Sequence, residues 1–246
     1  VLSGDVVVND AGTAPFLGAT EISLAGSVTA ATGWDVKGNR VTVASGASVA
    51  SDVYYNQLTN TGTVSGAQYT PLSLPVFTTL PAFLSATPGT TDVSVANNGI
   101  RTLAPGSYRD LIVGKSGTVT FTGGTYHFRS ISVTGTNSKL LFSAASTVRV
   151  QQKMSTTNLT TIGPGTGSSA TAATIVFHVA GINGTTGTLA TTPKSVEIGV
   201  DNTLSANVYA PNGSIWLKDR INATGAYVGL DVQVGIDGQV TLSSAW

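Results

Sequence analysis

The chain contains no cysteine and carries little charge. Only 10 % of its 246 residues are Asp, Glu, Lys or Arg, well below the roughly 25 % of ordinary globular proteins. The absence of cysteine excludes a disulfide framework and a thiolate metal site. Twelve basic and twelve acidic side chains cancel, which removes the electrostatic basis for binding nucleic acid or an anionic membrane surface. We therefore predict no nucleic-acid partner.

Long hydrophobic runs are missing as well. No stretch of about 18 apolar residues occurs, so we predict no membrane span in this chain. Helical spacing of apolar residues is nearly absent. Low charge with abundant Thr, Ser, Gly and Asn is typical of secreted or surface β proteins, so we expect an extracellular location. Because the chain begins at Val1, we interpret it as a processed piece without its export signal or anchor.

Short strand patterns, each closed by Gly, Asn or Pro, run from about Leu103 to Leu242. Within them apolar and polar residues alternate, as in Val148 and Val150 with Arg149 between them. A period of two places the apolar side chains on one face of a strand and the polar ones on the other. The pattern predicts an all-β protein with its apolar residues turned inward.

A break in this alternation indicates how the strands are connected. Tyr126 and Phe128 share one face, and Ile131 and Val133 share a face an odd number of positions further on. A corner near Arg129-Ser130 lets both pairs point into a common interior. Repeated corners without long loops predict a parallel β-helix, or β-solenoid. The alternative is an antiparallel β-sandwich, which needs hairpin turns between neighbouring strands.

We predict a single β-helix domain over residues 1–246. Residues 1–69 form looser coils, residues 70–90 a Pro-rich segment, and residues 91–246 regular coils. The prolines of the middle segment forbid a continuous central strand, while its Phe and Leu residues favour burial. We interpret it as an extended strut against the side of the coil, although an interdomain linker is the alternative.

Glycines and one Pro-Asn-Gly sequence have structural interpretations. Gly106 and Gly123-Gly124 mark positions where a side chain would clash with the next coil. Ala210-Pro211-Asn212-Gly213 predicts a tight turn, because Pro fixes φ and Asn-Gly supplies positive φ.

Catalytic patterns are sparse, and we predict no catalytic residue, no metal site and no cofactor. The two histidines, His127 and His178, occupy outward strand positions far apart in sequence, and no strained serine elbow accompanies them. A polysaccharide lyase or hydrolase is the less favoured alternative, since coil stacking can bring carboxylates together beside a basic residue. The residues for that alternative are Asp201, Asp219, Asp231 and Asp237, with Lys218 or Arg220.

Aromatic residues near the C-terminal end are a better functional candidate. Alternation turns Ile215 and Leu217 inward and hence Trp216 outward. Exposed rings on a flat β face can stack on sugar rings. We therefore predict a glycan-binding platform of Tyr209, Trp216 and Tyr227, with packing against the coil or the strut as the alternative.

Several sequence blocks occur in a characteristic order. They are Pro105-Gly106-Ser107-Tyr108, Gly123-Gly124-Thr125-Tyr126-His127-Phe128 and Tyr209-Ala210-Pro211-Asn212. Together they resemble bacterial surface proteins of the choice-of-anchor A type and the β-helix regions of type IV pilin-like surface proteins. The resemblance covers about Pro71 to Trp246. It implies an extracellular, repetitive β-helix and carries over no catalytic residues.

These observations predict a structural or adhesive module of a bacterial cell surface or extracellular filament rather than an enzyme. The terminal coils of a solenoid expose unpaired backbone groups, so self-assembly through the ends is a further expectation. The alternative is a carbohydrate-binding adhesin that uses the outward aromatics. The expected partners are therefore further copies of the chain or a cell-surface polysaccharide.

Overall fold

The computed structural model describes residues 1–8, 22–77 and 79–246. Their regular structure is almost entirely β-strand, and the strands pair in parallel from coil to coil. The predicted parallel β-solenoid is confirmed, and the alternative antiparallel sandwich is wrong. Backbone contacts divide the chain into two compact units. Unit 1 contains Val1–Pro81 with Gln239–Thr241, and unit 2 contains Ala82–Gly238 with Leu242–Trp246.

Unit 1 combines two eight-residue strands with strands of two or three residues around an aliphatic interior. The strands are β1 (Leu2–Ser3), β2 (Val6–Val7), β3 (Ile22–Leu24), β4 (Thr29–Ala30), β5 (Val36–Val43), β6 (Ser48–Val49), β7 (Val53–Asn60), β8 (Thr63–Val64), β9 (Gln68–Tyr69) and β27 (Gln239–Thr241). Strands β2, β5, β7 and β9 pair in that order, and β3 also pairs with β5. A second row contains β27, β1, β4, β6 and β8.

Unit 2 has more regular coils, in which most strands have three to five residues. It contains β10 (Val93–Val95), β11 (Ile100–Leu103), β12 (Gly106–Ser107), β13 (Asp110–Val113), β14 (Thr118–Phe121), β15 (Gly124–Phe128), β16 (Ser130–Val133), β17 (Lys139–Phe142), β18 (Ser146–Val150), β19 (Met154–Thr156), β20 (Thr161–Pro164), β21 (Ile175–Val179), β22 (Val196–Ile198), β23 (Thr203–Ser205), β24 (Asn207–Leu217), β25 (Asn222–Thr224) and β26 (Tyr227–Val234). A short 3-10 helix, Ala172–Thr174, precedes β21.

The strands of unit 2 stack in three rows. One row contains β11, β14, β17, β20, β23 and β25, and a second contains β12, β15, β18, β21, β24 and β26. The third contains β10, β13, β16, β19, β22, β24 and β26. The long strands β24 and β26 thus belong to two rows, because each continues around the corner that separates β15 from β16 in an earlier coil.

The corner near Arg129-Ser130 is confirmed. Strand β15 ends at Phe128 and β16 begins at Ser130. Tyr126 and Phe128 before the corner and Ile131 and Val133 after it are all buried. The odd spacing therefore places both apolar pairs in one interior, as the sequence predicts.

Aromatic rings stack along the interior of unit 2. The rings of Phe121 and Phe142 are parallel, with centroids 4.6 Å apart. Phe177, in the next row, meets Phe142 edge to face at 5.9 Å, and Tyr126 meets Phe121 edge to face at 4.9 Å. All four are fully buried. Such stacks add specific ring–ring attraction to the large apolar area that each ring removes from water.

One corner of unit 2 is formed by residues with left-handed backbone. Side chains near this corner complete the hydrogen bonding, since Asn97 Oδ1 accepts from the Lys115 amide of the next coil at 2.9 Å. Asn and Asp are favoured at such positions because they tolerate positive φ. The residues with φ between 54° and 59° are Asn98, Ser116, Asn137, Leu159, Asp201, Arg220 and Asp237.

The glycine interpretations are only partly correct. A Cβ on Gly123 would lie 2.9 Å from Ala144 Cβ, and one on Gly124 would lie 3.2 Å from Pro105 Cβ. Both glycines also have positive φ, so a side chain is disfavoured there. The prediction is wrong for Gly106, where an added Cβ would make only an ordinary contact at 3.6 Å with the Tyr108 hydroxyl.

The predicted tight turn at Ala210-Pro211-Asn212-Gly213 is also wrong. These residues lie within strand β24, and neither Asn212 nor Gly213 has positive φ. Instead, the register with β26 shifts between Ala210 and Ser214. The segment is a strand corner, where Gly213 is required because an added Cβ would lie 2.4 Å from Ser195 Cβ.

Candidate functional site

Trp216 lies on the outward face of β24, as alternation predicts. Ile215 and Leu217 on either side are fully buried, whereas Trp216 is half-buried. It stands in register between Glu197 of β22 and Gln233 of β26. The Lys218 ammonium lies 4.5 Å from the centroid of the indole ring and 3.1 Å from Glu197 Oε2. An apolar ring is thus framed by a cation, a carboxylate and an amide.

Tyr209 is not available on an open face. It points outward from β24, in register with His178, but it is only 5 % exposed. Phe83 meets its ring edge to face at 5.7 Å, and Trp246 does so at 6.1 Å. Residues distant in sequence therefore cover this tyrosine.

Tyr227 lies on the opposite side of the sheet from Tyr209. It pairs with Val208, whose side chain is fully buried, while Tyr209 pairs with Val228. The Tyr227 hydroxyl is buried and has no hydrogen-bond partner among the described residues. Burial raises the pKa of this phenol. The structure therefore does not bring Tyr209, Trp216 and Tyr227 together on one exposed platform.

The two histidines lie in one outward row of unit 2. Successive strands place Ser107, His127, Arg149, His178 and Tyr209 in register. Sequence separation hid this relation, because each step along the row passes through one complete coil. Arg149 stands between the two imidazoles, and its buried Nε has no hydrogen-bond partner within the described part of the chain.

Residues 82–90, which we call the strap, lie against this row. The Thr87 amide donates a hydrogen bond to His127 Nδ1 at 2.9 Å. The Leu84 amide donates to His178 Nδ1 at 3.4 Å, and Phe83 meets the His178 ring edge to face. At its far end, the Gly89 amide donates to the Tyr108 carbonyl. The strap is thus held by two imidazole acceptors, one carbonyl acceptor and the contacts of Phe83 with the rings of His178 and Tyr209.

Three of the four aspartates proposed for polysaccharide cleavage, Asp201, Asp219 and Asp237, act electrostatically on Arg220. Asp201 accepts two hydrogen bonds from Arg220, at 2.6 and 2.8 Å. Asp219 accepts from the Ile236 amide, and Asp231 accepts from Gln233. Asp237 occupies one of the left-handed turn positions. Asp201, Asp219 and Asp231 are thus each engaged in a local structural contact.

The carboxyls of the Asp–Arg ion pairs are poor proton donors near neutral pH. The guanidinium of Arg220 lowers the pKa of the Asp201 carboxyl. Two further Asp–Arg pairs, Asp92–Arg109 and Asp110–Arg129, behave in the same way. A general acid near neutral pH needs a raised pKa. Across residues 1–8, 22–77 and 79–246, no group of three or more His, Cys, Asp or Glu is placed to hold a metal ion.

An inserted loop covers the corner between β21 and β22. An open depression of about 350 Å³ lies beside it, lined by the residues 151–153 and 180–182 and by Gly184. Asn183 anchors the loop and is fully buried. Its Oδ1 accepts from the amides of Ser214 and Ser195 at 2.9 and 3.1 Å. Its Nδ2 donates to Ser214 Oγ at 2.8 Å and to the Thr188 carbonyl at 3.3 Å.

Unit 1 carries an aromatic stack that the sequence reasoning missed. Lys37, Tyr54 and Tyr69 lie in register on β5, β7 and β9. The tyrosine rings are stacked at 4.6 Å, and the Lys37 ammonium lies 5.3 Å from the Tyr54 centroid. Tyr69 is 46 % exposed. The sequence signal for this stack is the pair of short segments Val53-Tyr54 and Gln68-Tyr69, which place a tyrosine at the same position when they are aligned.

Comparison with known proteins finds no matching family model, no similar curated protein and no similar solved structure. The described part of the chain also contains no helix with the length and apolar character needed to cross a membrane. The class that the structure defines is the parallel β-solenoid, and the resemblance to bacterial surface proteins stays a prediction.

Proposed function

We propose that this chain is a structural or adhesive module of an extracellular bacterial surface or filament, and that copies of it associate through the edge of the first coil of unit 2. The observation that carries the proposal is the open strand β11. It pairs with β14 on one side and ends its sheet on the other among the described residues. Unpaired strand edges are ready templates for another chain.

The hydrogen-bond pattern identifies the groups at this edge. The Gly99 carbonyl accepts from the Thr118 amide of β14, and the Leu103 carbonyl accepts from the amide of Thr122, the residue that follows β14. In a parallel pair, alternate residues direct their backbone groups to opposite sides of the strand. The amides and carbonyls of Ile100 and Thr102 therefore point away from β14, toward the edge.

The side chains at this edge are compatible with strand addition. Ile100 is 82 % exposed, and Arg101 and Thr102 are also exposed. β-Branched residues such as Ile and Thr favour extended pairing. The net formal charge of zero leaves little long-range repulsion between two copies. By contrast, the edge strands β8 and β9 of unit 1 have two residues each, which limits pairing there.

The edge is tested by replacing Thr102 with proline. We expect Thr102→Pro to raise the concentration needed for association roughly tenfold, because it removes an outward N–H and hence about one hydrogen bond. Proline is tolerated on an open edge, so the fold should persist. Sedimentation velocity and electron microscopy of the purified chain over a wide concentration range measure the effect.

A matched control keeps the backbone donor. Thr102→Val removes the hydroxyl but retains the N–H, so it should associate like the wild type. If the wild-type chain stays monomeric at all concentrations, or if Thr102→Pro associates as readily as Thr102→Val, the proposed edge is incorrect.

A carbohydrate-binding adhesin is the second candidate, and the position of Trp216 favours it. The half-buried, outward indole of Trp216 lies beside Lys218, Glu197 and Gln233, and together these side chains offer a stacking surface and hydrogen-bonding groups to a sugar. Tyr209 and Tyr227 do not contribute to this surface.

Replacing Trp216 with alanine tests this second function. We expect Trp216→Ala to reduce retention of the chain on insoluble polysaccharides at least tenfold, since the stacking surface is lost. Ile112→Ala is the control, because Ile112 is 41 % exposed on the same outward row. Equal retention of the Trp216→Ala variant and the wild type would exclude the site.

A further inference from the structure

Both histidines of unit 2 hold the strap as hydrogen-bond acceptors. His127 Nδ1 accepts from the Thr87 amide, and His178 Nδ1 accepts from the Leu84 amide. A backbone amide can only donate, so each Nδ1 must carry a lone pair. An imidazolium has protons on both ring nitrogens. Protonation of either ring therefore converts an attractive contact with the strap into one between two donors.

While the strap is bound, a neighbouring positive charge and burial both oppose protonation of the histidines. Arg149 lies in register between His127 and His178. Adding two protons would place three cations on neighbouring strands. Like charges at adjacent cross-strand positions are destabilising, and His178 is only 3 % exposed, so little water is present to screen them. Detachment of the strap would let water reach the row and screen these charges.

We propose that the strap and the His127–Arg149–His178 row form an acid-sensitive latch: protonation of the two histidines releases residues 82–90 and uncovers the histidine row and the side of Tyr209 that Phe83 covers. The remaining coils of unit 2 keep their strand pairing, because the strap belongs to no strand. The latch is independent of the proposed assembly edge. Among the described residues, neither Ile100 nor Thr102 forms a hydrogen bond with His127 or His178.

The charged and titratable groups around the latch are few. The row contributes Arg149 and the phenol of Tyr209. The strap contributes none, because its sequence is Ala-Phe-Leu-Ser-Ala-Thr-Pro-Gly-Thr. On the side of the C-terminal segment, Trp246 packs on Tyr209 with an indole ring. Arg149 is therefore the one fixed charge that the described residues place in register beside both imidazoles.

The pH range follows from the direction of the shifts. Burial, aided by Arg149, lowers the pKa of His178 to about 4 and lowers the pKa of His127. A free histidine has a pKa of about 6.5. The released state thus binds protons more readily than the latched state. The latch is fully stable above about pH 6.5 and weakens as the pH falls from there toward 4.

A spin label on the strap tests the proposal. Because the chain has no cysteine, Ser85→Cys provides a single attachment site, and Ser85 is exposed. We expect the electron paramagnetic resonance spectrum to show an immobile label at pH 7.5. The mobile fraction should rise at least about tenfold by pH 4.5, while the far-UV circular dichroism of the β-solenoid stays constant.

A variant without titratable rings is the matched control. In His127→Asn/His178→Asn, each side-chain oxygen can replace Nδ1 as an acceptor, and neither group ionises. The label on this variant should stay immobile from pH 7.5 to 4.5. The proposal is overturned if the variant responds to acid like the parent, if the parent label stays immobile at pH 4.5, or if it becomes mobile only together with loss of the β signal.

Discussion

Replacing Phe142 with alanine is expected to lower the free energy of unfolding by about 3–5 kcal/mol. Phe142 is fully buried, and its ring contacts Phe121 in the coil on one side and Phe177 in the coil on the other. Truncation removes the apolar area, both ring–ring contacts and the support of two neighbouring coils at once. Because rigid strands surround the site, we expect little collapse into the cavity. Urea unfolding followed by circular dichroism measures the loss.

Leu141 provides the matched control for this prediction. It adjoins Phe142 in β17 but points outward and is half-buried. Leu141→Ala should cost about 1 kcal/mol or less, because a partly hydrated side chain gains less from burial. A cost equal to that of Phe142→Ala would contradict the inward and outward assignment along this strand.

The alternation of apolar residues was sufficient to predict the fold of the regular coils. A strand has a strict period of two, so an odd spacing such as that from Phe128 to Ile131 can keep both residues inside only if the chain turns a corner. No knowledge of distant contacts is needed for this inference. The turn prediction at Ala210-Pro211-Asn212-Gly213 relied on local residue preferences instead. It is wrong because the neighbouring strands β21, β22 and β26 impose an extended path on β24.

The surroundings of the candidate site could not be predicted in this way. Alternation correctly turns Trp216 outward, and it also turns His178 and Tyr209 outward. It does not reveal that Phe83 packs on both of the latter rings. That contact joins residues more than ninety positions apart, and it depends on the path of a segment without strand periodicity. In this protein, a side chain that points outward from a strand is therefore not always exposed to solvent.

The inserted loop is a second feature outside the reach of periodicity. Between β15 and β16 the corner takes one residue, Arg129, whereas between β21 and β22 the chain runs from residue 180 to residue 195. A loop of this length needs an internal anchor, because its buried backbone groups lack ladder partners. Asn183 supplies that anchor with four hydrogen bonds, and nothing in the local sequence marks it as buried.

Changing Asn183 to aspartate is expected to lower the free energy of unfolding by roughly 3 kcal/mol at pH 7. The aspartate is nearly isosteric and can still accept from the amides of Ser195 and Ser214. It can no longer donate to Ser214 Oγ or to the Thr188 carbonyl, and it places a charge where Asn183 is fully buried. Thermal and urea unfolding of the variant and the wild type measure the difference.

The pH dependence of this loss of stability distinguishes the effect of the lost hydrogen-bond donors from that of a packing defect. Inside the loop, burial favours the neutral acid, so the pKa of the new carboxyl should rise above its value in the unfolded chain. The penalty relative to wild type should therefore be largest above the raised folded-state pKa and shrink as the pH falls from there toward the unfolded value, because the protonated carboxyl is neutral and regains one donor. Asn212→Asp is the control, since Asn212 is exposed and donates one long hydrogen bond, at 3.3 Å, to the Ala180 carbonyl. A penalty that is equal in the two variants, or independent of pH at Asn183, would show that the buried amide does not anchor the loop through its donors.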